Sequence, residues 1–355
     1  MKITTALQER LICPHCRSRL YPLGESFVCK SCGNDYPVIA GIPILIDETA
    51  CGFRIRSYEE PRERTKAERA KRALRAVLPA ISVNLAARRN YRKFREMLFA
   101  VNPRPRVLIV GGATAGAGTS ELLADERIEF VESDIAIDER TTLVCDAHVL
   151  PFADQTFDGV IFQAVIFYLQ DYPRCISEMF RVLKAQGILY SESAFMEQVV
   201  GGEYDFYRFT LRGHEYQFRE FERISSGISG GPAMATAWSI QYLVLSFTES
   251  AAARAAIRIL CKCTLFWMKY LDLLLVNKRG SVDAAAGTFF MGRRLAEVLA
   301  PERVAALAQE AQPQPAQEQP APSPAGEPQP AQQPLAPVQA PQYQGLIQSD
   351  VRAYR

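Results

Sequence analysis

An excess of charge of one sign is nearly missing from this sequence: 41 lysines and arginines face 39 aspartates and glutamates, a formal net charge of +2. So small an excess gives no global argument for nucleic acid or an anionic membrane as partner. The first residues, MKITTALQERLICPHC, lack the uninterrupted apolar core of a secretory signal and include the acidic Glu9. A cytoplasmic protein is therefore expected. Internal repeats are absent too. The nine cysteines do not read as a disulfide framework, because four of them stand in Cys-x-x-Cys pairs, which in a reducing compartment favour metal.

What is present divides by composition. At 355 residues the chain has room for one large α/β domain and a small module. Residues 1–50 hold the cysteine pairs and end in the β-rich run PVIAGIPILI, and residues 51–105 form a basic, helix-prone connector. Over residues 106–300, short Val/Ile/Leu runs first alternate with helical patterns, as βαβ units of parallel sheet do, and then give way to an aromatic and strongly apolar region. Residues 301–355 are mostly Pro, Gln and Ala over much of their length. They bury too little apolar surface to offset their ordering entropy, so a disordered tail is expected.

The run Ile257–Val276, IRILCKCTLFWMKYLDLLLV, has transmembrane length, yet Arg258, Lys262, Lys269 and Asp272 share one helical face. Charges near a bilayer centre cost about 2.5–3.5 kcal/mol each. The run reads as an amphipathic helix, either packed on the domain core or docked peripherally at the inner face of a membrane.

Cys13, Cys16, Cys29 and Cys32 form two knuckles, CPHC and CKSC, separated by twelve residues. Each knuckle brings two thiolates onto one ion, and two knuckles complete the tetrahedral shell of a structural zinc. With four sulfurs bound, no position remains for a catalytic water. The segments LICPHCRSRL and FVCKSCGNDYPVIAGIPILI, over roughly residues 7–50, resemble the small zinc-ribbon protein that activates methyltransferases in trans. In that family the ribbon covers an apolar face of its catalytic partner, which here would lie in cis.

The segment VLIVGGATAGAG, Val107–Gly118, reads as a buried strand running into a glycine-rich turn and a helix. Gly111, Gly112, Gly116 and Gly118 would let the backbone turn tightly and approach a ligand. The motif alone also fits a dinucleotide fold. A second strand ends at Glu132-Ser133-Asp134, where a carboxylate can accept hydrogen bonds from ribose hydroxyls. Asp134 is the first choice and Glu132 the second. Downstream, LVCDAHVLPFADQTFDGVIFQAVIFYLQDYPRCISEMFRVLKAQGILYSES resembles the class I S-adenosylmethionine-dependent methyltransferases of the type 11 group. That resemblance implies a Rossmann-like domain on a mostly parallel seven-stranded sheet, with Asp146 contacting adenine and Ala147 and Gln163 completing the cofactor set. The chain departs from the group at Leu108-Ile109-Val110, where many relatives carry an acid, and at Phe167-Tyr168, where they often read Glu-His. A degenerate, non-catalytic scaffold is thus an alternative.

For the acceptor, no Asn-Pro-Pro-Tyr tetrad follows the fourth strand, which argues against the adenine and glutamine methylases that use it. The string YDFYRFT with the later Gly-His resembles a subset of bacterial methyltransferases often associated with cell-surface glycan or lipid-linked pathways. His214 is the candidate base, because its ordinary pKa near about 6.5 suits proton removal at neutrality; a histidine satisfied by its neighbours gives the same sequence. Asp205 is a second catalytic candidate. Tyr204 and Arg208 are candidates for binding the acceptor, and an Asp205–Arg208 pair pinning the loop is equally compatible. The expected reaction is methyl transfer to oxygen of a small or lipid-linked metabolite such as a surface-glycan sugar. An RNA or protein acceptor is the alternative that the ribbon and the basic connector suggest.

Overall fold

The computed structural model describes residues 1–50, 54–58, 78–199 and 202–295. The middle of the basic connector and the Pro/Gln-rich tail lie outside the described residues.

Strands β1 (Leu20–Leu23), β2 (Ser26–Cys29), β3 (Asp35–Ile39) and β4 (Ile42–Leu45) come from the ribbon. Strands β5 (Arg106–Val110), β6 (Glu129–Asp134), β7 (Leu143–Cys145), β8 (Phe157–Gln163), β9 (Leu183–Ala194), β10 (Phe221–Gly230) and β11 (Gly287–Arg294) follow. All belong to one eleven-stranded sheet in the order β1-β2-β3-β4-β7-β6-β5-β8-β9-β11-β10. The run from β4 to β9 is parallel, whereas β11 is antiparallel to both β9 and β10, and the ribbon strands pair antiparallel with one another.

The expected seven-stranded, mostly parallel sheet is thereby corrected to a mixed sheet of eleven. The cause lies at β7, a strand of three residues. It would otherwise be a bare edge of unpaired N–H and C=O groups, which folded proteins cover. β4 covers it in parallel register, Ile44 opposite Val144 and Leu45 opposite Cys145. Every residue of β4, IPIL, is buried, the unbroken apolar run expected of a strand covered on both faces.

Helix α1 (Ala87–Val101) packs on one face of the sheet. Its Tyr91, Phe94 and Leu98 meet Val107, Ile161, Ile188 and Tyr190. Leu108, Val160, Phe162 and Leu189, one residue along each strand, point to the opposite face, where helix α2 (Tyr172–Val182) and the ribbon's Leu7, Leu11, Leu20 and Phe27 complete a second core. This is the period of two that a strand imposes. Gly159 of β8 is small because a Cβ there would lie 2.7 Å from Phe94 Cζ.

Beyond β9 come α3 (Leu211–Gln217), α4 (Pro232–Leu245) and α5 (Ala251–Leu265). The run 257–276, expected as one helix, is α5 followed by a 3-10 turn at Met268–Tyr270 and a short helix at Asp272–Leu275. Asp272 does not share a solvated face with the cations. It is fully buried, and its carboxylate accepts the N–H groups of Ala233 and Met234 at 2.8 and 2.9 Å, satisfying donors that the start of α4 leaves free. Among the described residues, no helix is long and apolar enough to cross a membrane.

Candidate active site and metal centre

The sulfurs of Cys13, Cys16, Cys29 and Cys32 all lie within 4.8 Å of one another. Cys13 and Cys32 stand 3.6 Å apart, Cys16 and Cys29 3.4 Å. A zinc ion at about 2.3 Å from each of four thiolates needs sulfur separations of roughly 3.8 Å, so the cage fits the ion. Tyr36 places its hydroxyl 3.2 Å from Cys13 Sγ, a supporting contact that steadies a ligand. The zinc is structural. His15 pairs with Asp47 at 3.0 Å.

The chain leaves β5 for β6 and β7 on one side and returns to β8 and β9 on the other. The boundary between β5 and β8 is therefore a switch point, the place where open α/β sheets bind ligands at the carboxyl ends of their strands. Gly111, Gly112, Gly116 and Gly118 occupy the turn after β5. Gly111 and Gly118 have φ of +76° and +78°, values that side chains other than glycine rarely adopt. A Cβ on Gly111 would lie 2.4 Å from Val165 Cγ2, and one on Gly116 would lie 1.8 Å from Gln163 Oε1. The tip of β8 thus rests directly on the glycine turn.

Asp134, half-buried at the tip of β6, accepts from the N–H groups of Ala113 and Ala136 at 3.1 and 3.0 Å. Glu132 is buried and paired with Arg140; burial pushes its pKa up while Arg140 pulls it back. Asp134 is the more exposed of the two acids. Asp146 follows β7 and accepts from the backbone and ring nitrogens of His148 at 2.9 and 2.6 Å. Burial raises its pKa, and the His148 contacts outweigh that and hold it below the usual carboxylate range. Ala147 is buried beside it.

Sequence reasoning missed Glu192. It stands on β9 in register with Gln163, and its carboxylate accepts from Gln163 Nε2 at 2.9 Å, Asn84 Nδ2 at 2.7 Å and the Tyr190 hydroxyl. Burial raises its pKa, opposed by these three bonds. Tyr91 donates to Gln163 Oε1 at 2.8 Å. The signal was available: an acid, Glu192, between two serines inside the buried strand segment ILYSESA. Glu197, just beyond β9, went unnoticed because its loop carries no pattern.

The loop after β9 folds back over the tip of β8. Phe206 N–H donates to Phe167 O at 2.8 Å, and the Tyr207 hydroxyl to Gln170 O at 2.8 Å. Arg208 donates to Asp205 at 2.8 Å and to the carbonyls of Glu197 and Gln198, each at 2.9 Å. The Asp205 side chain has no exposed surface, so this ion pair pins the loop. His214 on α3 is fully buried, with its ring nitrogens 3.0 Å from Ser191 Oγ and Thr288 Oγ1. Burial pushes its pKa down to about 3. Neither His214 nor Asp205 presents a proton-accepting atom to a substrate, because packing and internal partners take up both. Tyr204 lies half-buried at the end of a 3-10 turn.

Residues 118–191 match the sequence model of the family described as "Methyltransferase domain". A UPF0434 protein of Vesicomyosocius okutanii is 40% identical over 48 residues, 14% of this chain and 81% of that protein, in keeping with the ribbon. The chain therefore carries a methyltransferase domain, joined to an N-terminal segment of the UPF0434 kind. This methyltransferase is also similar to solved structures of low identity. The N-methyltransferase NodS of Bradyrhizobium japonicum is 12% identical, with 59% of this chain and 96% of that one covered and a TM-score of 0.34. Phosphoethanolamine N-methyltransferase 2 of Haemonchus contortus, bound to S-adenosyl-L-methionine, is 16% identical, covering 57% of this chain and 52% of that one at a TM-score of 0.36. A chain from the methyltransferase-activator complex of Haloferax volcanii is 16% identical, covering 66% of this chain and all of that one at 0.37. The methyltransferase uses S-adenosylmethionine as donor.

Proposed function

We propose that this methyltransferase acts on an oxygen of a small or lipid-linked acceptor, such as a sugar of a surface glycan. The observation that carries the reading of the site is convergence: the glycine turn, Asp134, Asp146 and Gln163 follow the carboxyl ends of four adjacent parallel strands. When bound, the donor supplies a methyl group already electrophilic on its sulfonium, so the protein has to align a nucleophile and exclude water. Gly111, Gly112, Gly116 and Gly118 would cradle the donor with backbone alone. Asp134 would take the ribose hydroxyls, with Asp146 and Ala147 at the adenine. Gln163, held by Glu192 and Tyr91, would face the methionine end.

An oxygen nucleophile needs a base poised near neutrality, and Glu197 meets that need. Its carboxyl is half-buried in the loop behind Arg208, and burial pushes its pKa up to about 7 against the lowering charge of Arg208. Tyr204 lines the acceptor side. The Asp205–Arg208 pair fixes the loop that carries both.

Calorimetry with S-adenosylmethionine tests the donor site. Two hydrogen bonds to a carboxylate, at about 1.5–3 kcal/mol each, predict that Asp134→Ala weakens binding by at least roughly tenfold. An Asp134→Ala protein that binds as the parent does refutes the ribose assignment. For the acceptor, mass spectrometry of small molecules and lipids from cells with and without the gene should find a species heavier by one methylene only when the gene is present. Finding the difference in RNA or protein instead overturns the acceptor class.

A further inference from the structure

Residues 80–86, just ahead of α1, have no helix or strand of their own, yet they are fastened along their length. Lys269 Nζ donates to Ala80 O at 2.7 Å. Ile81 is buried with Ala237 of α4 and Cys261 of α5. Trp238 Nε1 donates to Ser82 Oγ at 2.9 Å, and the Leu85 N–H to Ser229 O on β10 at 2.8 Å. The segment is a strap held by the helices and the strand that follow β9. Asn84 is the residue of this strap that reaches the donor side of the sheet. Its Nδ2 donates to Glu192 Oε2 at 2.7 Å, while its Oδ1 accepts from the N–H groups of Ala86 and Ala87 at 3.1 and 2.8 Å, at the entry to α1. A carboxylate only accepts and an N–H only donates, so these partners fix which way the Asn84 amide points.

The same logic passes from Asn84 to Gln163. The Tyr190 hydroxyl takes Glu192 Oε1, and Oε2 is the oxygen that Asn84 and Gln163 share. Gln163 Nε2 donates to it at 2.9 Å and to Ala117 O at 3.2 Å. Both partners of Nε2 are acceptors, so Gln163 must turn its Oε1 the other way. There Tyr91 donates to it at 2.8 Å, and a Cβ on Gly116 would lie 1.8 Å from it. The orientation of this one amide decides whether the glycine turn meets an acceptor or a pair of donors. Glu192 sets that orientation, and Asn84 sets Glu192. A buried carboxylate that loses one of its donors is left short of hydrogen bonds and shifts toward another partner.

We infer that Asn84 is a positioning residue of the donor site: from a strap anchored on α4, α5 and β10 it fixes the Glu192 carboxylate, and through it the Gln163 amide against the glycine turn. The anchors on either side of Asn84 hold its backbone in place, so the side chain reaches Glu192 already ordered, as a supporting contact has to if it is to hold a ligand-binding group. The inference rests on the reading of Gln163 as a contact of the donor.

Calorimetry of the full chain with S-adenosylmethionine tests this. Asn84→Ser keeps a side-chain oxygen for the turn into α1 and loses the reach to Glu192, so donor affinity should fall about tenfold. Asn84→Asp keeps the turn and sets a second carboxylate against Glu192, and should lose at least as much. Because Asn84 acts through Glu192, the losses should not add: the double variant Asn84→Ser, Glu192→Gln should bind as Glu192→Gln does alone. A merely structural role would behave like Gly159→Ala, which disturbs the packed core and should lower the melting temperature while binding the donor as the parent does. Either Asn84 variant binding like the parent overturns the inference, as do losses that add in the double variant. Gln163→Ala separates the two readings. If it binds like the parent, Gln163 is no donor contact and the inference falls with that assignment; if it binds weakly while Asn84→Ser does not, the assignment stands and the inference alone falls.

Discussion

Arg17 of the ribbon reaches Glu178 of α2, donating to its two carboxylate oxygens at 2.9 and 3.3 Å. Glu178 also accepts from Arg181 and from the Leu150 N–H at 2.9 Å. One buried carboxylate thus ties the ribbon, α2 and the segment after β7 together. Burial raises its pKa, and the arginines outweigh that and hold it below its ordinary 4.5. A depressed carboxylate contributes stability that is present above the unfolded value and lost as pH falls through the folded one. Glu178→Gln should therefore cost on the order of 2 kcal/mol at pH 7, with the deficit shrinking below about pH 4.5. Urea unfolding of parent and variant at both ends of that range checks it.

His214 gives a second acid-sensitive element with the same sign. Its folded pKa of about 3 lies below the ordinary 6.5, so the unfolded chain binds its proton first. Stability should fall by about 1.4 kcal/mol per pH unit from 6.5 downward. His214→Asn should remove that slope while turnover at pH 7.5, measured on the folded fraction, stays within about threefold. A loss of about a hundredfold would return His214 to the chemistry.

Zinc should matter to the whole sheet and not to the ribbon alone. Cys13 and Cys29 are fully buried in the core that also holds Leu108, Phe157 and Leu189. Chelation, or Cys29→Ser, should lower the melting temperature by more than about 5 °C. The exposed Cys263→Ser should change nothing, and metal analysis should give one zinc per chain in the parent.

Two glycines separate packing from binding. A Cβ on Gly159 would meet Phe94 Cζ at 2.7 Å and Leu98 Cδ2 at 3.0 Å, both in a packed core. Gly159→Ala should cost about 1–3 kcal/mol of stability. A Cβ on Gly116 meets the end of the Gln163 side chain, with Thr119 Cγ2 at 3.5 Å, so the strain falls on the hydrogen bonds of Gln163 and not on the packed core. Gly116→Ala should fold normally and bind the donor less well by calorimetry.

The sequence made legible whatever rests on local pattern. The cysteine spacing gave the cage, and the glycine turn and strand-tip acids fell where the topology converges. Long-range pairing was not legible. Nothing in IPIL says that it will extend the sheet at β7, since a short apolar run does not name its partner. Asp272 shares a helical face with cations in sequence and is claimed instead by the start of α4. His214 and Asp205 have side chains suited to catalysis, but His214 takes its partners from β9 and β11, and Asp205 is held by Arg208, which the loop carbonyls fix in turn.

In the proposed reaction Glu192 positions and Glu197 removes the proton, and kinetics can tell the two apart. Glu197 must be ionised to act, so kcat should rise with pH through about 7, the value to which burial brings it. Glu197→Gln should lower kcat by about 10²–10⁴ and abolish that limb, with donor binding unchanged. Glu192 accepts from three donors, Gln163, Asn84 and the Tyr190 hydroxyl. Glu192→Gln replaces one accepting oxygen by a fourth donor, so Gln163 should lose its place and donor affinity should fall, while the pH limb expected of Glu197 persists. A limb that vanishes with Glu192→Gln and survives Glu197→Gln would exchange the two roles.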